Sequence, residues 1–320
     1  MKITLIEGEN QPSILLKGTG LIDSSLIYPK RRGDKLILLR KIRESSFDAV
    51  FVSFINSNYE MAVFSYLTGI GFRVGYYSNR SNYGKGCGLL YSWKISLPDL
   101  AKDRDEIELN LSLLEPWNRE VRKSIIPPIL EIPLSQKVWA REFLKIKGIK
   151  KNEFLIGFHP GAGKKMRFKC WPLDRFIELA HLLVKRRGVR IIFFGGPEEK
   201  EWKNLLIESL PQGSLVVIGE LSLSQTASLI SCCNLFISND SGLMNLAYAV
   251  GVPVVAIFGP TQVPIPPKKG LHVIRSNLSC IPCYRYSTIK CRHRKCLIEI
   301  TPEKVFEFLD KRKLIPDSLR

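Results

Sequence analysis

Short, nearly uninterrupted apolar runs punctuate the second half of the chain: FLIGF from Phe154, RIIFF from Arg190, LVVI from Leu215, LFIS from Leu235 and VVAIF from Val254. Strands that are apolar at every position are buried on both faces, which predicts a parallel sheet covered by helices on either side. The intervening segments carry helical periodicity. In the stretch from Pro172 to Arg187, Leu173, Phe176, Ile177, Ala180, Leu183 and Val184 follow 3, 4, 7 spacing, with Pro172 at the first turn and Gly188 past the end. Ser222 and Gln225 form a capping-box start for the next helix, and Gly251-Val252-Pro253 ends the one after Asp240. Right-handed crossovers then give a doubly wound α/β sheet.

The first half carries a weaker form of the same pattern. KITLIE, SLIYP, DAVFVSF and FRVGYY read as strands, with helices over Lys35 to Glu44, Tyr59 to Leu67 and Asp105 to Leu114. The proline- and charge-rich stretch from Glu115 to Gln136 reads as a linker, followed by a helix from about Gln136 to Lys147. The expected organisation is an N-terminal domain over 1–130, a linker and helix over 131–152, and a C-terminal domain over 153–320. There is no internal repeat or low-complexity tract.

At 320 residues and 45% hydrophobic, the chain can bury two cores. Its net charge of +18 favours anionic partners: nucleic acid, nucleotides, phosphorylated sugars or acidic lipid head groups. No run approaches the length of a membrane span and no signal peptide opens the sequence, so the expected location is cytoplasmic. Cys87, Cys170, Cys232 and Cys233 lie in apolar segments and read as small core residues.

In an open parallel sheet, ligands bind beyond the carboxyl ends of the strands. Two motifs fall there. The first, IGFHPGAGKKMRFKCWP, is a strand, a glycine-rich loop containing Gly161 with several Lys and Arg residues, and a helix start. Free amides backed by lysines suit a diphosphate, although the spacing is not that of a P-loop, and a plain surface turn has the same composition. The second is SNDSGLMNLAYAVGVPVVAIFGPT, with Asp240 and Ser241 at the N-cap of an apolar helix. That arrangement serves either as an ordinary cap or, through the Ser241 and Gly242 amides, as a phosphate holder.

These motifs, with FFGGPEEKE and the tail CIPCYRYSTIKCRHRKCLIEITPEKV, occur in an order and spacing that resemble the bacterial heptosyltransferases of lipopolysaccharide core assembly, glycosyltransferase family nine. The resemblance covers residues 153 to 310 and continues more loosely through LLRKIRESSFDAVFVSF and LTGIGFRVGYYS. It implies a GT-B arrangement of two Rossmann-like domains, an ADP-heptose donor or similar nucleotide sugar, a lipid-linked oligosaccharide acceptor, inversion at the anomeric carbon and no cofactor required for catalysis. Carried over by motif, Lys169 would neutralise the diphosphate and Glu199 would bind the ribose. Asp240, Ser241 and Gly242 would meet phosphates and sugar, with Asn245 one turn on. Leu221 would pack on the base, and Gly259 and Thr261 would line the same cleft. Fixed amides and an ammonium can stabilise a departing nucleoside diphosphate without a metal.

The sequence departs from that pattern in three places, one of them a loop between His159 and Lys169 longer than the family's usual one. The first strand and Ser-x-x-Gly-Asp loop of the family, which carries its base, have no counterpart before MKITLIEGEN, so the N-terminal domain is expected to be incomplete at its start and the catalytic residue is unassigned. Gly33-Asp34 mimics that loop one βα unit too late, so Asp34 reads either as a base or as a solvated turn residue. Asn245 stands where the family usually has histidine, and it cannot titrate. A catalytically impaired nucleotide-sugar binder is therefore an alternative to the active transferase.

Finally, Cys280, Cys283, Cys291 and Cys296 give C-x2-C-x7-C-x4-C with His293 inside. The spacing suits a structural zinc site, unligated thiols, or a redox or disulfide role. In a basic chain it also raises a zinc-containing nucleic-acid binder, against which the scattered basic residues argue. The terminal helix from Pro302 carries Val305, Phe306 and Leu309 on one face and ends in Lys311, Arg312 and Lys313, which could touch an anionic inner-membrane surface.

Overall fold

A computed structural model describes residues 1–8, 13–78, 84–96, 106–118, 121, 129–263, 269–284, 291 and 293–317. Part of the Glu115–Gln136 linker and the interior of the cysteine-rich tail lie outside the described residues. Two compact units are present: Met1–Ser13 with Ile22–Pro127 and Pro264–Pro267, and Ile14–Leu21 with Pro128–Val263 and Lys268–Arg320.

The first unit contains strands β1 (Thr4–Glu7), β2 (Ser24–Ile27), β3 (Ala49–Phe51), β4 (Phe72–Tyr77) and β5 (Trp93–Ser96). Helix α1 (Ser13–Leu16) begins at the boundary between the units, and α2 (Arg32–Glu44), α3 (Tyr59–Leu67) and α4 (Glu106–Ser112) follow. β1 pairs with β2, and β3, β4 and β5 form a second parallel sheet. Helix α2 buries Leu38, Leu39 and Ile42 in a cluster that includes Ile6, Leu26 and Val50, so both sheets lean on one core. β5 was absent from the sequence reading, because Trp93-Lys94-Ile95-Ser96 buries only Ile95 and so shows no apolar run.

The second unit holds α5 (Leu134–Ile146), β6 (Leu155–His159), α6 (Leu173–Arg187), β7 (Arg190–Gly195), α7 (Lys203–Ser209), β8 (Leu215–Ile218), α8 (Leu223–Ile230), β9 (Leu235–Asn239), α9 (Gly242–Ala249), β10 (Val254–Phe258), β11 (Leu271–Arg275), α10 (Lys295–Ile298) and α11 (Pro302–Lys311). Six parallel strands run in the order β11-β10-β9-β6-β7-β8. Side chains alternate between two cores, as the period of two requires. Ile156, Phe158, Ile191, Phe193, Val255 and Ile257 face α6 and α11, whereas Leu155, Ile192, Phe194, Val254, Ala256 and Phe258 face α5, α8 and α9. Every residue of β6, β9 and β10 is buried, which accounts for their continuous apolar character. Gly188 closes α6 with φ 65°, in the left-handed region where glycine is at home, and donates to the Val184 carbonyl. Helix α11 buries Val305, Phe306 and Leu309, and no described helix is long and apolar enough to cross a membrane.

Candidate functional site

Numbering the six strands of the second unit by chain order, the sheet reads 3-2-1-4-5-6, with β6 first and β9 fourth. The order reverses between these two strands, and loops leaving them diverge to open a crevice at their carboxyl ends. The loops that leave β6 and β9 are HPGAGKK and NDSG, the two motifs that the sequence singles out.

The β9 loop delivers Asn239, Asp240 and Ser241 in succession. Ser241 is the N-cap of α9, its hydroxyl accepting from Met244 N at 3.2 Å. The cap is Ser241 alone: Asp240, which the sequence also placed at the N-cap, turns instead to the Lys169 ammonium at 2.9 Å. Both partners are largely buried, with side-chain exposures of 13% for Lys169 and 22% for Asp240. They lie 71 positions apart, joined because β6 and β9 are neighbours. The Gly242 and Leu243 amides open the helix and have no intrahelical acceptor, so the positive end of α9 faces outward beside this pair.

Two residues absent from the sequence-based set organise the crevice. Asn239 is fully buried; its Nδ2 donates to the Pro160 carbonyl at 2.7 Å and its Oδ1 accepts from Trp171 N at 2.8 Å. One amide thereby ties β9 to the loop after β6 and to the start of α6. His159, the last residue of β6, is also buried, and its Nδ1 lies 2.9 Å from the Ser241 hydroxyl. Burial pushes its pKa down to about 3, so the imidazole is neutral at ordinary pH. Ser238 Oγ stands 3.1 Å from Ser241 Oγ, completing a buried polar chain under the helix mouth. A His and an Asn inside the two motifs, each at the end of a continuous apolar strand, were the available signal, since buried polar groups must find partners.

Glu199 is buried and accepts from Gly196 N at 2.8 Å. A methyl group on Gly161 would overlap the Glu199 carboxylate, so the glycine is what lets the two loops close. Gly163 takes φ 81°, a second position that only glycine occupies without strain. Glu198 accepts from the Lys164 backbone N–H, Arg167 pairs with Glu201 at 2.6 Å, and Lys169 turns to Asp240. Past β10, Gly259 packs against Leu297, and Thr261 is 8% exposed with its hydroxyl lacking a described partner. Leu221 is half-buried, packed beside the α8 core, whereas Asn245 and Gly242 are exposed.

Asp34 lies in the first unit. It sits inside the first turn of α2 and is exposed, rather than in a loop before the helix as its sequence context suggested. A carboxylate there favours the positive end of the helix dipole.

The eight cysteines are free. Cys87, Cys170 and Cys233 are buried, and Cys232 packs against the core. In the tail, Cys280 is exposed, Cys283 and Cys291 are half-buried and Cys296 is buried. Burial and the neighbouring thiols push Cys283 and Cys296 up. Among the described residues no three His, Cys, Asp or Glu side chains are grouped to hold a metal ion. The tail is tied to the site by backbone, the Cys283 and Tyr284 amides each donating to the Pro260 carbonyl at 3.0 Å.

The chain is similar to two curated relatives of heptosyltransferase type. It is 25% identical over 284 residues to lipopolysaccharide heptosyltransferase 2 of Escherichia coli K12, covering 87% of this chain and 79% of that protein. It is 29% identical over 199 residues to lipooligosaccharide heptosyltransferase 2 of Haemophilus influenzae, covering 58% of this chain and 56%, little more than half, of that protein's length. Among solved structures, E. coli ADP-heptose lps heptosyltransferase II superposes with TM-score 0.75 at 24% identity, over 97% of this chain and 88% of that one. The glycosyl transferase family 9 protein of Veillonella parvula superposes with TM-score 0.78 at 23% identity, over the same shares. These structures share the parallel-sheet α/β fold of the GT-B class. The family model for glycosyltransferase family 9 (heptosyltransferase) matches residues 36–295, spanning most of α2, all of α3 and α4, both crevice loops and most of the cysteine tail, and on that match the chain belongs to glycosyltransferase family 9.

Proposed function

We propose that the protein transfers a heptose, with inversion, from ADP-heptose to a lipopolysaccharide core acceptor on the cytoplasmic side of the inner membrane. The observation that carries this reading is the Lys169–Asp240 pair beside the open N-terminus of α9 at the sheet's switch point. Family membership and the heptosyltransferase relatives support the sugar and acceptor class.

In this reading the donor's diphosphate lies across the Gly242 and Leu243 amides and draws on Lys169. Asp240 holds that ammonium in place before the donor arrives, so little reorganisation is needed as charge develops on the leaving ADP. Glu199 accepts from the ribose hydroxyls, Leu221 packs on the adenine, and Asp240 and the Thr261 hydroxyl meet sugar hydroxyls; Gly259 keeps the third loop low. Asn245 offers an amide to the sugar or phosphate. His159, neutral, acts through Ser241: it positions the cap and hence the amides of α9.

Replacing Lys169 with alanine tests the assignment. Loss of one preorganised charge-stabilising group is expected to lower kcat/KM for ADP-heptose by about 10²- to 10³-fold. ADP-heptose binding and turnover equal to the parent's would refute it. A protein that binds ADP-heptose in calorimetry but never turns it over would instead be the nucleotide-sugar binder, the reading favoured by the engagement of Glu199 and Asp240, which leaves neither carboxylate a free base. Tight binding of a DNA duplex with no response to ADP would favour the nucleic-acid reading.

A further inference from the structure

The outward face of α2 sets two adjacent aliphatic side chains in solvent. Leu36 and Ile37 are 68% and 69% exposed, although the same helix already buries Leu38, Leu39 and Ile42. Around them stand Arg32, Arg40, Lys41 and Arg43, and the stretch 31–44 holds six basic residues against two acidic ones, Asp34 and Glu44. The Arg43 guanidinium donates to the Leu67 carbonyl at 2.6 and 3.0 Å, fastening α2 to the end of α3. The seam is an apolar groove of about 500 Å³ walled by Leu36, Leu39 and Leu67 and rimmed by Arg40, Arg43 and Glu44.

We infer that this face of α2 is a peripheral docking surface for an anionic lipid bilayer, with Leu36 and Ile37 entering the head-group boundary and the flanking cations contacting lipid phosphates. A helix that shows aliphatics between basic residues has the composition of an interfacial helix. A second copy of the chain is disfavoured as the occupant, because a two-fold contact would set Arg40, Lys41 and Arg43 against the same three residues. The cationic end of α11 is the poorer candidate: Val305, Phe306 and Leu309 are buried, and among the described residues no large apolar side chain is exposed beside Lys311, Arg312 and Lys313. The inference is independent of the donor site, since lipid binding is read without sugar transfer.

The test is co-sedimentation of the full chain with phosphatidylcholine vesicles, with and without phosphatidylglycerol. Binding is expected only to the anionic vesicles and is expected to weaken with added salt. Leu36→Asp and Ile37→Asp should each lower the bound fraction about tenfold while leaving nucleotide affinity and circular dichroism at parent values. Lys311→Glu with Lys313→Glu should leave vesicle binding intact. Equal binding to both vesicle types, parent-like binding by both Asp variants, or loss of binding in the double Glu variant would overturn the inference. So would dissociation of a dimer by Leu36→Asp without any change in lipid binding.

Discussion

Replacing Asn239 with alanine probes the joint on which the crevice depends. Its side chain is fully buried and makes two bonds, to the Pro160 carbonyl and from the Trp171 amide. Alanine removes both partners and leaves a backbone acceptor and a backbone donor without them, in a space too enclosed for easy hydration. Each unsatisfied buried group costs about 1–3 kcal/mol, giving a loss of about 2–6 kcal/mol. Against a typical domain stability of about 5–15 kcal/mol, that is a large fraction. The loss should appear as a lower urea midpoint, with unchanged slope, for the transition of the second unit, followed by the fluorescence of buried Trp171. Asn239→Asp separates bonding from shape: it keeps the acceptor for Trp171 N but cannot donate to Pro160 O when ionised, so it should also be destabilised. Affinity for ADP, measured on the folded fraction, should fall in both, because the Lys169 loop and the Asp240 loop lose their common anchor. A stability change below about 1 kcal/mol in Asn239→Ala, with parent-like ADP affinity, would refute the reasoning.

Gly161→Ala should weaken nucleotide binding or lower stability by about 1–3 kcal/mol, since the added methyl displaces the Glu199 carboxylate; thermal unfolding with and without ADP checks it. For His159, the folded pKa of about 3 lies below the ordinary 6.5, so the unfolded chain takes up a proton that the fold resists. Its contribution is complete above about pH 6.5 and falls by about 1.4 kcal/mol per pH unit toward pH 3, or about 2 kcal/mol between pH 6.5 and 5. His159→Asn should abolish that part of the slope in urea titrations at the two pH values. Native thiol labelling at pH 8 should modify exposed Cys280 well ahead of Cys170 and Cys233, whose thiols burial pushes up, Cys170 to about 11; simultaneous labelling would contradict the packing. Metal analysis of protein purified without added zinc decides the role of the tail: one zinc per chain with the four tail thiols protected would show that the cluster closes around an ion, and no bound metal with four titratable thiols would rule the site out.

Much of the second unit was legible from local pattern. The strands from Phe154, Arg190, Leu215, Leu235 and Val254, the span and glycine stop of α6, and the Ser222–Gln225 capping box depend on neighbours within a few positions, and composition reports those directly. The edge strand β11 and the first-unit strand β5 escaped because half-buried edges do not demand continuous apolar residues. The motif loops were legible too, and so was a resemblance that named Lys169, Glu199, Asp240 and Ser241. What local pattern could not supply was the order of the strands. Only the 3-2-1-4-5-6 arrangement sets β6 beside β9, brings Lys169 to Asp240 across 71 residues and His159 to Ser241 across 82, and turns Asn239 into a three-way tie. Strand neighbours are chosen by the burial of both sheet faces and by crossover handedness, long-range terms that no short window contains. The exposed pair Leu36 and Ile37 shows the same division: the sequence alone marks them as apolar residues in a helix, and only tertiary packing, which takes Leu38, Leu39 and Ile42 into the core, leaves them facing water.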